Sequence, residues 1–107
     1  MSSHTPGISA AFQLFFEASP DTARAWMVCV QAMSQASALE SKTGHLAYLA
    51  VLAALRLESG VPLHVRLAKQ AGATRAEVVS AILIGLPAAG NGVTQSLPAA
   101  LAAYDEP

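Results

Sequence analysis

Residues 42–72 read KTGHLAYLAVLAALRLESGVPLHVRLAKQAG, and their reading decides the fold. The stretch holds two of the three histidines, four of the six basic residues and the longest apolar run of the chain. From Leu46 to Leu55 it is apolar all round except for the Tyr48 hydroxyl, which predicts a long central helix over 41–58, buried on every side. Gly60 ends that helix. Pro62 suits the start of the next, 62–70, because a first helical turn has no use for the N–H that proline lacks. Between the two helices lies a Ser-Gly-Val-Pro corner at 59–62, and His64 falls in the first turn after it. An active site is expected at this corner.

Downstream, Gly72 is the natural C-terminal glycine of the second helix. Thr74-Arg75-Ala76-Glu77 is a capping box, in which Thr74 and Glu77 each bond the other's backbone. The helix it opens carries Val78, Val79, Ala81, Ile82, Ile84 and Leu86 and is expected to be well packed. Pro87 and Gly90-Asn91-Gly92 break the pattern. A last helix over 93–104 carries Leu97, Leu101 and Ala102, with Pro98 tolerable only near its first turn. Upstream, Phe12, Phe15 and Phe16 give helical spacing over 8–17. Ser19-Pro20-Asp21 reads as N-cap, first helical position and acidic first turn of a helix running to about 35. Ala25, Trp26, Cys29, Val30 and Met33 make one apolar stripe on it, with Cys29 expected as a buried small hydrophobe. No strand pattern occurs. The expected fold is all-α, five or six helices around the 41–58 helix, in one domain over 1–107 with loose tails at 1–7 and 105–107.

Composition bounds the rest. The chain is 53% hydrophobic and only 12% charged, over 107 residues. A chain this short leaves much of its surface outside any core it forms alone, and here few charges are available to cover that surface. A homo-oligomer follows as the expectation. The net charge of −1 and the lack of a basic run argue against a nucleic-acid partner. The 10-residue apolar run is short of the roughly 20 that a membrane span needs. The start MSSHTPG lacks the basic and apolar regions of a signal peptide, and a single cysteine builds no internal disulfide framework, so a reducing cytoplasm is the expected location.

From Lys42 onward the chain resembles the carboxymuconolactone decarboxylase / alkylhydroperoxidase D superfamily. The matching pieces are Lys42-Thr43, the run LAYLAVLAAL, the histidine of PLHVRLA, AGATRAEV at 71–78 and AILIGLPAAGN at 81–91. The peroxidase branch carries Glu-x11-Cys-x2-Cys-x3-His. Counted back from His64, its two cysteines fall on Leu57 and Gly60 and its glutamate on His45. Hydroperoxide reduction by that route needs an attacking and a resolving thiol. Cys29 sits on another predicted helix and has no second thiol in its chain, so the peroxiredoxin-type reading is disfavoured. The decarboxylase branch also lacks the cysteines and carries Glu-x5-His, which Glu58 and His64 match. The resemblance implies cofactor-free decarboxylation of 4-carboxymuconolactone or a similar small carboxylated substrate, in a homo-trimer or hexamer.

Candidate roles follow. His64 gives or takes the proton, because imidazole titrates near neutrality, and a first helical turn favours its neutral form and a bound carboxylate nearby. The resemblance brings His45 up to His64 across the corner, as an acid/base partner, a substrate clamp or one half of a metal site. Two ligands are few for zinc, so no metal is assigned and His45 with His64 stays the alternative. Glu58 orients His64 or binds a cation. Arg56 and Arg66 flank the corner as fork-shaped carboxylate anchors. Each has a plainer reading: His64 a hydrogen-bonded core histidine, His45 a polar residue lining a solvent-filled pocket, Glu58 a solvated helix-end residue, Arg56 and Arg66 surface arginines. The chain as a whole has one too, an oligomeric binding scaffold without a reaction.

Overall fold

The structure is a computed structural model, and it describes residues 9–107. The tail expected over 1–7 lies outside the described residues. The elements are α1 (Ala10–Ala18), α2 (Pro20–Ala36), α3 (Ser41–Ala54), α4 (Val61–Gln70), α5 (Arg75–Leu83), α6 (Leu86–Ala89) and α7 (Leu97–Tyr104), with 3-10 turns at Glu58–Gly60 and Asn91–Ser96. The described residues are all-helical, as the sequence predicts, with six helices of eight residues or more and the short α6. None of these helices is long and apolar enough to cross a membrane.

The core lies between α3, α4, α5 and α7. Leu49, Leu52 and Ala53 of α3 meet Val61, Val65 and Ala68 of α4 and Val78 and Ile82 of α5, with Val93, Ala100 and Ala103 closing the cluster. Full burial of a Leu, Ile or Val side chain stabilises by about 1.5–3 kcal/mol, so this cluster holds the fold. Helix α3 is central, but it is not buried on every side as expected. Tyr48, Val51 and Leu55 are about half exposed or more (48%, 51% and 63%), because α4 and α5 cover only one side of α3. Ile84 and Leu86, expected to be well packed, also lie at the surface.

Helix α3 stops at Ala54, four residues before the expected end. The N–H of Leu57 donates to the carbonyl of Leu52 (2.9 Å) and that of Arg56 to Ala53 (3.2 Å), while Arg56 takes φ +58°. This is a Schellman ending with arginine where glycine usually stands. Sequence reading looked to Gly60 and found no glycine signal at 56. Helix α4 ends the same way, with Gly72 at φ +100° and the N–H of Ala73 donating to Ala68 at 2.9 Å. There the glycine was legible.

Other boundaries divide in the same manner. The capping box at Thr74 and Glu77 is present in both directions, at 3.0 and 2.9 Å. Ser19 precedes α2 but its side chain does not cap the backbone; its hydroxyl donates to Thr22 Oγ1 at 2.7 Å. The last helix begins at Leu97, not 93, because residues 91–96 wind as a 3-10 turn, and Pro98 sits in the first turn where it is tolerated. The C-terminal residues are exposed but not loose. Arg66 holds Glu106 with two bonds (2.9 and 2.8 Å), Arg75 holds Asp105 likewise (3.0 and 3.1 Å), and Lys69 donates to the Tyr104 carbonyl (2.7 Å).

Helices α1 and α2 form a hairpin that packs on itself and barely touches the body of α3 to α7. Phe12, Phe15 and Phe16 cluster on α1, and Ala23 of α2 is buried. The expected α2 stripe exists but is uncovered: Trp26 is 51% and Met33 67% exposed. Cys29 is exposed as well, not buried, because none of the described residues lies over that stripe.

Thr74→Ala removes the hydroxyl that caps α5 and is expected to lower stability by about 1 kcal/mol, read as a lower urea midpoint at unchanged slope.

Candidate active site

The Schellman ending of α3, the 3-10 turn at Glu58–Gly60 and the start of α4 together reverse the chain, so α4 packs back along α3. His64 lies in the first turn of α4, and its ring meets Tyr48 of α3 with centroids 4.4 Å apart and planes tilted by 43°. His45 stands one turn before Tyr48, on the neighbouring part of the same face.

His64 is half-buried, and its Nδ1 is buried with no hydrogen-bond partner in the chain. Its pKa is pushed below the usual histidine range. Burial is the larger cause, because it penalises the charged ring, and the nearby charge of His45 adds to it. The structure therefore favours a neutral imidazole, packed on an aromatic ring, with Nδ1 buried and without a hydrogen-bond partner among the described residues.

The other candidates divide. Arg56 is exposed, and its guanidinium lies over Gly92, where a Cβ would come within 2.5–2.7 Å of it. The guanidinium makes no hydrogen bond or ion pair among the described residues. Arg66 is engaged with Glu106 through Nε and Nη2, while its Nη1 is buried without a partner. Glu58 begins the 3-10 turn, where its carbonyl accepts from the Val61 N–H, but its carboxylate bonds no described residue, so here it is Tyr48, not Glu58, that packs on the His64 ring. Among the described residues no group of three or more His, Cys, Asp and Glu is arranged to hold a metal ion. Lys42 pairs with Glu77 at 3.2 Å and ties α3 to α5.

Sequence reading missed Tyr48. The signal was available in the three-residue spacing from His45, which puts both on one face of a helix, but the tyrosine was absorbed into an apolar run. An open groove of about 550 Å³ lies on the opposite flank of α3, between Lys42, Leu46, Ala50, Glu77, Ala81 and Ile84. Lys42 and Glu77 pair there, Glu40 accepts from the Thr43 hydroxyl at 3.1 Å, and none of the histidines lines it, so this cavity is separate from the His64 cluster.

The His64 shift has a consequence for stability. Its folded pKa lies below that of the unfolded chain, so between the two values the unfolded chain binds more protons. Stability falls as pH drops from about 6.5 towards the folded value, and levels off below it. Melting temperatures between about pH 8 and 5 should show this loss in the wild type and less of it in His64→Gln. Identical pH profiles would remove the buried neutral imidazole from the site.

No curated protein and no solved structure matches the chain. Residues 20–105 match the model of the carboxymuconolactone decarboxylase family, a span running from the start of α2 past the end of α7 and taking in the His45, Tyr48 and His64 cluster. The chain belongs to the carboxymuconolactone decarboxylase family.

Proposed function

We propose that the protein is a cofactor-free acid/base enzyme that decarboxylates a small carboxylated lactone or a similar acid, with His64 as the group that moves the proton. The observation that carries this reading is the half-buried His64, neutral at rest, with an unpartnered Nδ1 against Tyr48. A substrate carboxylate beside the ring raises its pKa and draws a proton from solvent onto it. When the C–C bond to the carboxylate breaks, CO2 leaves and the electron pair moves into the conjugated lactone as a dienolate. The imidazolium then delivers its proton to carbon and returns to the neutral form. Tyr48 keeps the ring in place, and His45 opposes its protonation until an anion is bound.

Arg56 is the better of the two anchor candidates, since its fork is unengaged while that of Arg66 is closed on Glu106. The peroxidase alternative gains nothing from the exposure of Cys29, whose thiol meets only the Met33 thioether at 3.7 Å and no second cysteine. The lone thiol is in keeping with a cytoplasmic protein. The uncovered apolar faces of α2 and α3 support a homo-oligomer, and trimers or hexamers agree with the resemblance.

The test is turnover of 4-carboxymuconolactone followed by ultraviolet absorbance. His64→Ala should lower kcat by about 10²–10⁴-fold, the usual contribution of a positioned acid/base. Turnover unchanged in that variant would remove the mechanism, and none in the wild type would remove the substrate. Arg56→Gln should chiefly raise KM. Gly92→Ala should do the same with Arg56 intact, because the new Cβ displaces the flexible end of that side chain.

A further inference from the structure

Asn91 is the only asparagine of the chain, and Gly92 follows it. Asn91 is exposed, and with Gly92 it opens the 3-10 turn that precedes α7. An asparagine loses its amide when the next backbone nitrogen attacks it, which makes asparagine a thermolabile residue. This turn favours that attack. Gly92 has no Cβ to crowd the approach, and its N–H donates to no described residue. The carbonyl between Asn91 and Gly92 accepts from the Thr94 hydroxyl at 2.7 Å. A donor there stabilises the charge that gathers on this peptide when its N–H gives up a proton. Over the same peptide lies the Arg56 guanidinium, so close that a Cβ on Gly92 would meet its Nη2, Nε and Cζ at 2.5–2.7 Å. It is a cation held beside the nitrogen that must become anionic, and it has no other polar partner among the described residues. The bond from the Val93 N–H to the Gly90 carbonyl, at the start of the turn, is long at 3.4 Å and lets the segment adjust.

The reaction needs only water. The Gly92 N–H gives its proton to solvent, and the nitrogen forms a bond to Asn91 Cγ. The Cγ–Nδ2 bond breaks, Nδ2 takes a proton from water and leaves as ammonia, and a cyclic imide remains. Water then opens the imide at either carbonyl. One opening leaves an aspartate in the ordinary chain and the other an isoaspartate. In sum, one amide and one water give one carboxylate and one ammonium ion. The chain gains a negative charge beside Arg56.

We propose that Asn91 is a deamidation site promoted by Arg56 and Thr94, and that the carboxylate it leaves pairs with Arg56 and closes the substrate anchor. An amide at 91 leaves the Arg56 fork unengaged, whereas a carboxylate makes charge-assisted bonds to it. The closing of the anchor rests on the reading of Arg56 as the group that holds the substrate carboxylate. An aged chain then carries its own carboxylate where that of the substrate belongs.

The test starts with the full chain in warm, mildly alkaline buffer, folded or unfolded in guanidinium chloride, with deamidation at 91 followed by peptide mass. Unfolded, the wild type, Arg56→Gln and Thr94→Val should react alike. Folded, the wild type should react at least as fast as unfolded, and Arg56→Gln about tenfold more slowly than the wild type, with Thr94→Val also slowed. Should Arg56→Gln fail to fold, Arg56→Gly takes its place, since glycine suits the left-handed backbone there. A folded wild type protected relative to the unfolded chain, or either folded variant reacting as fast as the wild type, overturns the promotion. Pairing is read by NMR titration of Asn91→Asp. Its new carboxyl should titrate below the ordinary aspartate range and return to it when Arg56→Gln is added. An ordinary titration in Asn91→Asp overturns the pairing. If that variant does not fold, the deamidated wild type separated by ion exchange replaces it. These readings need no substrate, so a chain that decarboxylates nothing removes the proposed reaction and leaves them standing. In an active chain Asn91→Asp should raise KM as Arg56→Gln does, with kcat kept. An unchanged KM beside a paired carboxyl overturns the closing of the anchor.

Discussion

The site depends on how α3 ends. Its last carbonyls must be satisfied and the chain must turn back within a few residues, or α4 cannot lie along α3. The Schellman bonds to Leu52 and Ala53 do both, at the cost of a left-handed Arg56. A left-handed non-glycine backbone costs of order 1–3 kcal/mol and persists only when its surroundings fix it. Here the fixing comes from Leu52 and Ala53, buried one turn earlier, and from the 3-10 turn and the buried Val61 that follow. Glycine at 56 would relieve the backbone but remove the guanidinium from over Gly92. An arginine held in a conformation that favours glycine is therefore itself a sign that the side chain matters.

The basic residues are few, and most have structural work. Lys42 joins α3 to α5, Arg24 pairs with Asp21 along α2, and Arg66, Lys69 and Arg75 draw the C-terminal residues across α4 and α5. Exposed pairs of this kind contribute little singly, so their service is more to position the tail than to stabilise the fold. Arg56 stands apart as the basic residue whose side chain has no polar partner among the described residues.

How much the sequence disclosed follows from which forces are local. The capping box, Gly72 and the proline positions were legible because each is a contact between residues a few apart. The core of α3, α4 and α5 followed from apolar spacing. The end of α3 did not, because arginine gives no sign of a left-handed bend. Cys29 was misplaced because an apolar stripe says that a helix seeks cover without saying whether the same chain provides it. Of the site, the histidines were legible as residue types. The Tyr48 contact depends on the angle at which α4 returns, which no local pattern encodes.

Composition and site meet on α3. A chain that is 53% hydrophobic and 12% charged has apolar surface left over once its own core is filled, and part of that surplus, Tyr48, Val51 and Leu55, lies on one side of the central helix. That side borders His64 through Tyr48. A neutral, desolvated imidazole is sustained by whatever keeps water away from it, and in the protomer Tyr48 does so from one side only, itself half exposed. The apolar side of α3 and the neutral His64 ring thus meet at Tyr48.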